Sequence, residues 1–162
     1  MSSYINPAPG TTSQVVLKLE LAGTSGYTTA LTVPGLQDIT VNAANDIFSW
    51  SQLDTTAKLQ IATTSTNSLS MNLVVDDASF FGTTLASIQT DTVAAQGILG
   101  LSRNKTKIKF SLKMVENGAT DRYLQGIGYI TGLAPKVSAD QPVWVSPITI
   151  TVSGEYTVTA TE

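Results

Sequence analysis

The chain has 162 residues, the length of one domain able to bury a sizeable core, and only 13% of them are charged, against the roughly 25% usual in soluble domains. Twelve acidic residues against nine basic ones leave a net charge of −3, which argues against a binder that works by neutralising phosphates or anionic lipid. Having neither histidine nor cysteine, the chain lacks the commonest general base, the usual zinc ligands, any Ser-His or Cys-His nucleophile pair and any disulfide framework.

Pro7, Pro9 and Gly10 give residues 1–12 the character of an extended arm, ahead of a single β-rich domain over 13–162. No basic cluster leads into an apolar run at the N-terminus, and no later stretch approaches the ~18 apolar residues of a membrane span. The expectation is a protein made in a cytoplasm, with no membrane partner. Val15, Leu17, Leu19 and Leu21 alternate with Val16, Lys18 and Glu20, the period of a strand with one buried face. A turn at Thr24, Ser25 and Gly26 leads to a second strand over 27–33, stopped by Pro34 and Gly35. Short strands follow over 36–41, 47–50, 58–63 and 69–75.

At Asp76 and Asp77 either carboxylate can cap a helix, and Ala78, Phe81, Leu85 and Ile88 then recur on one helical face. This spacing predicts one flanking helix over about 78–90, with residues 91–102 a loop. Alternation returns over 106–116, where Ile108, Phe110, Leu112 and Met114 share a side, and Asn117-Gly118 supplies a hairpin turn. In the returning strand over 122–131, Gly126 and Gly128 mark bulging or close backbone approach. Residues 133–141 read as a loop, and strands over 143–152 and 155–159 as a last hairpin about Ser153 and Gly154. The fold class predicted is mainly β, a β-sandwich or barrel with one flanking helix.

Little in this pattern points to catalysis. Asp76 and Asp77 are the only adjacent acidic pair, and helix capping accounts for them better than the convergent carboxylates of a glycoside hydrolase. There is no calcium loop and no glycine-rich phosphate loop, so no cofactor and no metal is expected. Asn104-Lys105-Thr106 matches a glycosylation sequon, without a secretion signal to give it meaning. Arg103, Lys105, Lys107 and Lys109, with Lys113 beyond, occupy odd positions while the apolar residues occupy even ones, which predicts a strand with one basic face. A single-stranded nucleic-acid platform would interleave aromatics on that face, and Phe110 lies on the other. The basic row, together with Asp76 and Asp77, is therefore a candidate for charge contacts between subunits.

Three local patterns carry a family likeness: the strand over 69–75 running into the turn and helix over 76–82, the hairpin leading to Gly128-Tyr129-Ile130-Thr131-Gly132-Leu133, and the closing segment in which Ser138-Ala139-Asp140 precedes the strand over 143–153 and Gly154. In these features, and over roughly 15–159, the chain resembles the major tail tube proteins of tailed bacteriophages, whose fold is shared with the tubes of related injection systems. The resemblance implies a structural, non-enzymatic subunit that assembles with copies of itself into hexameric rings, stacked as a hollow tube. It also implies residence in the virion tail after assembly in the host cytoplasm, with tape-measure, tail terminator and distal tail proteins as further partners. DNA would pass through the lumen during ejection without adhering, which an acidic lining would favour; Asp38, Asp46 and Asp54 are the candidates. The arm and the segment 133–141 are expected to bridge subunits. An immunoglobulin-like virion decoration or receptor-recognition domain is the alternative, since frequent short strands and Thr-rich alternation fit it too.

Overall fold

Alternating apolar residues become the inner face of an antiparallel sheet. The computed structural model describes residues 15–54, 56–85, 88–114 and 121–162, so the arm over 1–12 and the Asn117-Gly118 turn lie outside the described residues. The strands are β1 (Val16–Leu21), β2 (Leu31–Thr32), β3 (Leu36–Ser51), β4 (Lys58–Val74), β5 (Ile108–Met114), β6 (Arg122–Leu133), β7 (Lys136–Ser138), β8 (Gln141–Val152) and β9 (Thr157–Thr159). Two helices, α1 (Asp77–Phe81) and α2 (Val93–Arg103), fall between β4 and β5. The order across the sheet is β2-β1-β5-β6-β8-β4-β3, with β7 on β8 and β9 on β6. The sandwich or barrel expected from the sequence is thus one open sheet.

Leu17 and Leu19 of β1, Ile108, Phe110 and Leu112 of β5, Ile148 and Ile150 of β8, and Leu69, Met71 and Leu73 of β4 all belong to one buried cluster. Phe80, Val93, Ile98 and Leu101 close it from the helical side. Tyr156 ties β3 and β4 to the core, its ring meeting Phe110 edge-on at 6.4 Å and its hydroxyl lying 2.8 Å from the Asn42 carbonyl oxygen and 2.9 Å from that of Ser68. Close backbone approach at Gly128 is realised, because a Cβ there would stand 2.2 Å from the Thr151 carbonyl oxygen.

Four expectations are corrected. The strands over 36–41 and 47–50 are one strand, as are those over 58–63 and 69–75. The polar stretches between them carry no apolar period, yet they stay paired and exchange side-chain bonds such as Ser65 to Asn45 at 2.9 Å and Thr64 to the Asp46 carboxylate at 2.8 Å. The segment 155–159 does not fold back on β8. After Gly154 the chain crosses to β6, where Tyr123, Leu124 and Gln125 pair with Thr159, Val158 and Thr157. Residues 133–141 are not all loop, since β7 pairs with the start of β8. The second strand shrinks to Leu31–Thr32, and the loop before it is tied down by the buried Glu20 carboxylate, which accepts bonds from the Thr29 amide (3.0 Å) and hydroxyl (2.7 Å).

The helical region departs furthest from expectation. Asp76 does cap α1, accepting from the Ser79 amide at 3.0 Å, but the helix ends at Gly82, whose φ of 84° stops it after five residues. Leu85 and Ile88, the rest of the predicted apolar stripe, are exposed. The second helix lies where a loop was expected, broken at Gly97 (φ 66°). Its organiser is the buried Gln96: the side-chain amide donates to the carbonyls of Gln89 (3.2 Å) and Asp91 (2.7 Å), and the side-chain oxygen accepts from Thr106 (2.8 Å) and Asn104 (3.2 Å). Gln96→Ala strands several buried polar groups at once and should destabilise the fold by about 3 kcal/mol, readable in urea denaturation. A loss below about 1 kcal/mol would contradict this role.

Candidate assembly surfaces

Only part of the β3–β4 hairpin is built into the body. β8 covers β4 from Asn67 to Val74, and from Thr66 back to Lys58 the hairpin has no other neighbouring strand among the described residues. Those nine residues make an arm reaching about 30 Å. Register puts Phe48 opposite Ile61 and Trp50 opposite Leu59, so the four share one face, with Phe48 and Trp50 stacked at 5.9 Å. Phe48 is 59% exposed and Ile61 56%. Large apolar side chains on a projecting arm are unfavourable in water unless something covers them. The outer edge of β3 is also long, sixteen residues at the end of the sheet order with no neighbouring strand among the described residues.

An apolar groove lies at the other end of β4. Val75, Phe80, Phe81, Leu99, Pro135 and Trp144 line a cavity of about 290 Å³, and the Val75 amide donates to the Trp144 carbonyl at 2.9 Å. Its floor depends on α1 and α2 packing backbone against backbone: a Cβ on Gly82 would stand 2.1 Å from the Ala95 carbonyl oxygen, and one on Gly97 would stand 2.3 Å from the Gly82 nitrogen. Trp144 is 54% exposed. Since Val74 pairs with Val145 and Asn67 with Val152, the groove and the arm occupy opposite ends of the same strands.

Between these ends, the outward face of β3, β4, β8 and β6 is polar, with no cation among its aligned rows and with Asp38 as its acidic residue. Register aligns Asn42, Ser68, Thr151 and Tyr129 in one row and Thr40, Ser70 and Thr149 in the next, with Thr131 bonded to Thr151 at 2.8 Å. Of the acids singled out in the sequence, Asp38 sits on this face, in the row of Asn72 and Pro147, and binds the Asn72 side-chain amide at 2.9 Å, Asp46 lies along the arm and Asp54 in the turn at its tip. They are strung from base to tip rather than gathered. Among the described residues, no three acidic side chains are grouped as a metal-binding cluster.

The predicted basic strand face is corrected as well. Arg103 ends α2, Lys105 lies in the following turn at φ 54°, and β5 begins only at Ile108. Lys107 is exposed ahead of β5, whereas Lys109 donates to the Thr24 carbonyl and sits 4.7 Å over the Tyr27 ring. Lys113 pairs with Asp121 at 2.9 Å, and Lys18 with Glu162. Asp76 is occupied as a cap, its acidity strengthened by the Ser79 amide and hydroxyl, while Asp77 is exposed in the first turn.

Tyr27 completes the Lys109 cluster and carries a pH signature. Its hydroxyl donates to the Phe110 carbonyl at 2.9 Å, and burial, then the Glu162 and Glu20 carboxylates, push its pKa from 10.0 up to about 12. A raised folded-state pKa means the contribution is complete below the unfolded value and lost on going to higher pH. Thermal stability should therefore fall between about pH 10 and 12. Tyr156, also raised by burial, adds to the same trend, and Tyr27→Phe should flatten the slope without abolishing it. An unchanged slope in that variant would remove Tyr27 from the account.

This open curled sheet with two short helices on its core side defines a tail-tube-like fold. Comparison with solved structures places it with phage-type tubes. The tail of an empty gene transfer agent particle, refined with C6 helical symmetry, superposes with a TM-score of 0.63 at 16% identity over 90% of this chain and 95% of the other. A chain of the native gene transfer agent virion gives 0.61 at 11% identity over 92% and 98%. The SPP1 tail tube gives 0.56 at 11% identity over 87% and 76%. No protein-family model matches the chain, and no curated protein matches it in sequence. The chain has the tail tube protein fold, as its strand pattern suggested.

The sequence reading missed the residues with the strongest claim to contact: Phe48, Trp50 and Ile61 on the arm, and Phe81, Leu99 and Trp144 at the groove. A signal existed in Phe48 and Trp50, two aromatics at strand spacing within a region rich in Asn, Ser and Thr.

Proposed function

We propose that this protein is the structural subunit of a viral tail tube, assembling with identical copies into hexameric rings that stack as a conduit for DNA ejection. The single observation that carries this reading is the β3–β4 arm, whose apolar face is exposed and whose outer edge has no neighbouring strand among the described residues. Such features find partners by strand addition and by insertion into a neighbour. The C6 symmetry of a tail with the same fold supports six subunits per ring.

The polar outer face of β3, β4, β8 and β6 is the proposed lumen wall. Its hydroxyls and amides give phosphates no cation to hold, so passage would be non-adhesive, with Asp38 on the same face adding mild repulsion. Asp46 and Asp54 belong to the arm in this reading and serve contacts between subunits. Arg103, Lys105, Lys107 and Asp77 remain candidates for ion pairs between neighbours, and residues 1–12 for a bridging arm. Tape-measure, terminator and distal tail proteins would meet the tube at its inside and its ends. The role is structural and needs no catalytic group.

Sedimentation velocity over a hundredfold range of protein concentration, chosen to span weak association, tests the reading. Concentration-dependent growth into large, open-ended species is expected. A single monomer peak throughout would overturn it.

A further inference from the structure

Where β8 leaves β6 and β9 rejoins it, the chain opens a second cavity on the sheet. Gly128 pairs with Val152 and Gln125 with Thr157, so residues 153–156 bow out from the β6 edge. The loop over 22–30 rises on the other side, above β5, and carries Tyr27. Between these two walls lies a cavity of about 270 Å³, floored by Lys109 of β5 and by Gln125 and Ile127 of β6, which share the face opposite Phe110. We infer that this cavity is a carbohydrate subsite, seating one pyranose ring of a neutral glycan against Gln125, Ile127, Ser153 and Glu155.

Both walls are fixed by bonds to the backbone, while polar side chains along them stay free. Tyr27 donates to the Phe110 carbonyl at 2.9 Å, Lys109 donates to the Thr24 carbonyl, and the Thr29 amide is held by the Glu20 carboxylate at 3.0 Å. Opposite them, the Ser153 amide donates to the Ile127 carbonyl at 2.6 Å, the Thr157 hydroxyl donates to the Gln125 carbonyl at 3.4 Å, and Tyr156 is anchored on β3 and β4. Among the described residues, the Gln125 side-chain amide, the Ser153 hydroxyl and the Glu155 carboxylate have no hydrogen-bond or ionic partner. Ser111, across from Gln125 on the same face, is buried with an unpartnered hydroxyl. This stretch of the sheet therefore carries more hydrogen-bonding capacity than the fold consumes. Walls already pinned in place lose little freedom when a ligand enters.

The charges select the class of ligand. Lys109 and Glu155 line the same cavity without forming an ion pair, and the other ions near it are consumed, Lys18 by Glu162, Lys113 by Asp121 and Glu20 by Thr29. A lone anion or cation meets one attraction and one repulsion there. A neutral molecule rich in hydroxyls instead meets acceptors at Glu155 and Gln125 and donors at Lys109, Gln125 and Ser153, and each sugar hydroxyl both donates and accepts. Ile127, 39% exposed, offers an apolar patch to the C–H face of the ring. At about 270 Å³ the cavity is at the small end of ligand sites, with room for one ring rather than an oligosaccharide. The site does not depend on the tube reading. A tube would only repeat it on every copy, and repetition tightens contact with a glycan surface.

The test is a titration of the full-length, isotopically labelled protein, kept dilute enough to stay unassembled, with glucose, galactose and N-acetylglucosamine, followed by amide resonances. At least one sugar is expected to shift the amides of 125–127 and 153–157 saturably, with a Kd of about 2 mM, what roughly a dozen heavy atoms gain at ordinary ligand efficiency. Glu155→Gln and Ser153→Ala should each weaken binding about fivefold, the scale of one hydrogen bond, with the melting curve unchanged because both side chains are exposed. Glycine betaine and sodium sulfate, run alongside, report zwitterion and anion binding. No saturable shift with any sugar, shifts with betaine or sulfate in place of sugar, or unaltered affinity in both variants would each overturn the site. None of these results touches the tube reading, which rests on the β3–β4 arm.

Discussion

Replacing Phe48, Trp50 and Ile61 together with serine is expected to abolish tube formation while leaving the folded subunit intact. All three side chains are substantially exposed in the single chain, and none belongs to the buried cluster. Truncating exposed side chains changes stability little, within about 0.5 kcal/mol per site. In the assembly the same side chains would be desolvated, each worth roughly 1.5–3 kcal/mol, so losing all three weakens every stacking contact by more than about a hundredfold. If the arm joins copies end to end, as the proposed function has it, the polymer should disappear rather than shorten. Sedimentation and a thermal melt on one sample separate the two effects. Tubes of normal abundance from the triple variant would show that the arm's apolar face is not used.

Gly97→Ala, like Gly82→Ala, should produce a large loss of stability for a single methyl addition in the helical region. Gly82 and Gly97 lie at φ 84° and 66° with ψ near 170°, a region closed to side-chain-bearing residues, and their backbones touch where α1 meets α2. A methyl on Gly97 would meet backbone at 2.3 Å, and no rotamer change can relieve a backbone contact. Strain and overpacking together suggest a cost of about 4 kcal/mol, with a fall in Tm of about 10 °C. The groove floor would be displaced with α1 and α2, so assembly should fail below the melting transition as well. A melt shifted by less than about 2 °C would mean that the two helices can part at little cost.

Features that obey a simple period were legible in the sequence. Leu17, Leu19, Phe110 and Leu112 alternate because one face of their strands is buried, and they form the core as expected. Gly128 and the Asp76 cap were also legible, since each residue type has a narrow set of structural uses. The arm was not, because residues 42–46 and 64–66 hold no large apolar side chain on either face, and a strand facing water on both sides has no apolar period to betray its length. The helix was misplaced for the opposite reason. Leu85 and Ile88 have helical spacing but are exposed, while α2 is organised by a buried glutamine that no hydrophobic pattern reports. The destination of β9 was hidden because Gly154, at φ 98°, redirects the chain across the sheet where a two-residue hairpin turn was expected.

These failures share a cause in the proposed role. A subunit completed only by its neighbours keeps apolar and edge groups outside its own core, so rules calibrated on isolated domains misjudge those segments. The low charge of the chain belongs to the same picture, since a surface enclosed on several sides has little use for solvating charge.

Electron microscopy of the purified full-length protein, concentrated at neutral pH, tests the central claim most directly. Hollow tubes built of stacked six-fold rings, with the β3–β4 arm reaching from each ring into the next, are the predicted result. Well-folded particles that remain single subunits at every concentration, or closed oligomers with their hairpin arms free in solvent, would contradict it.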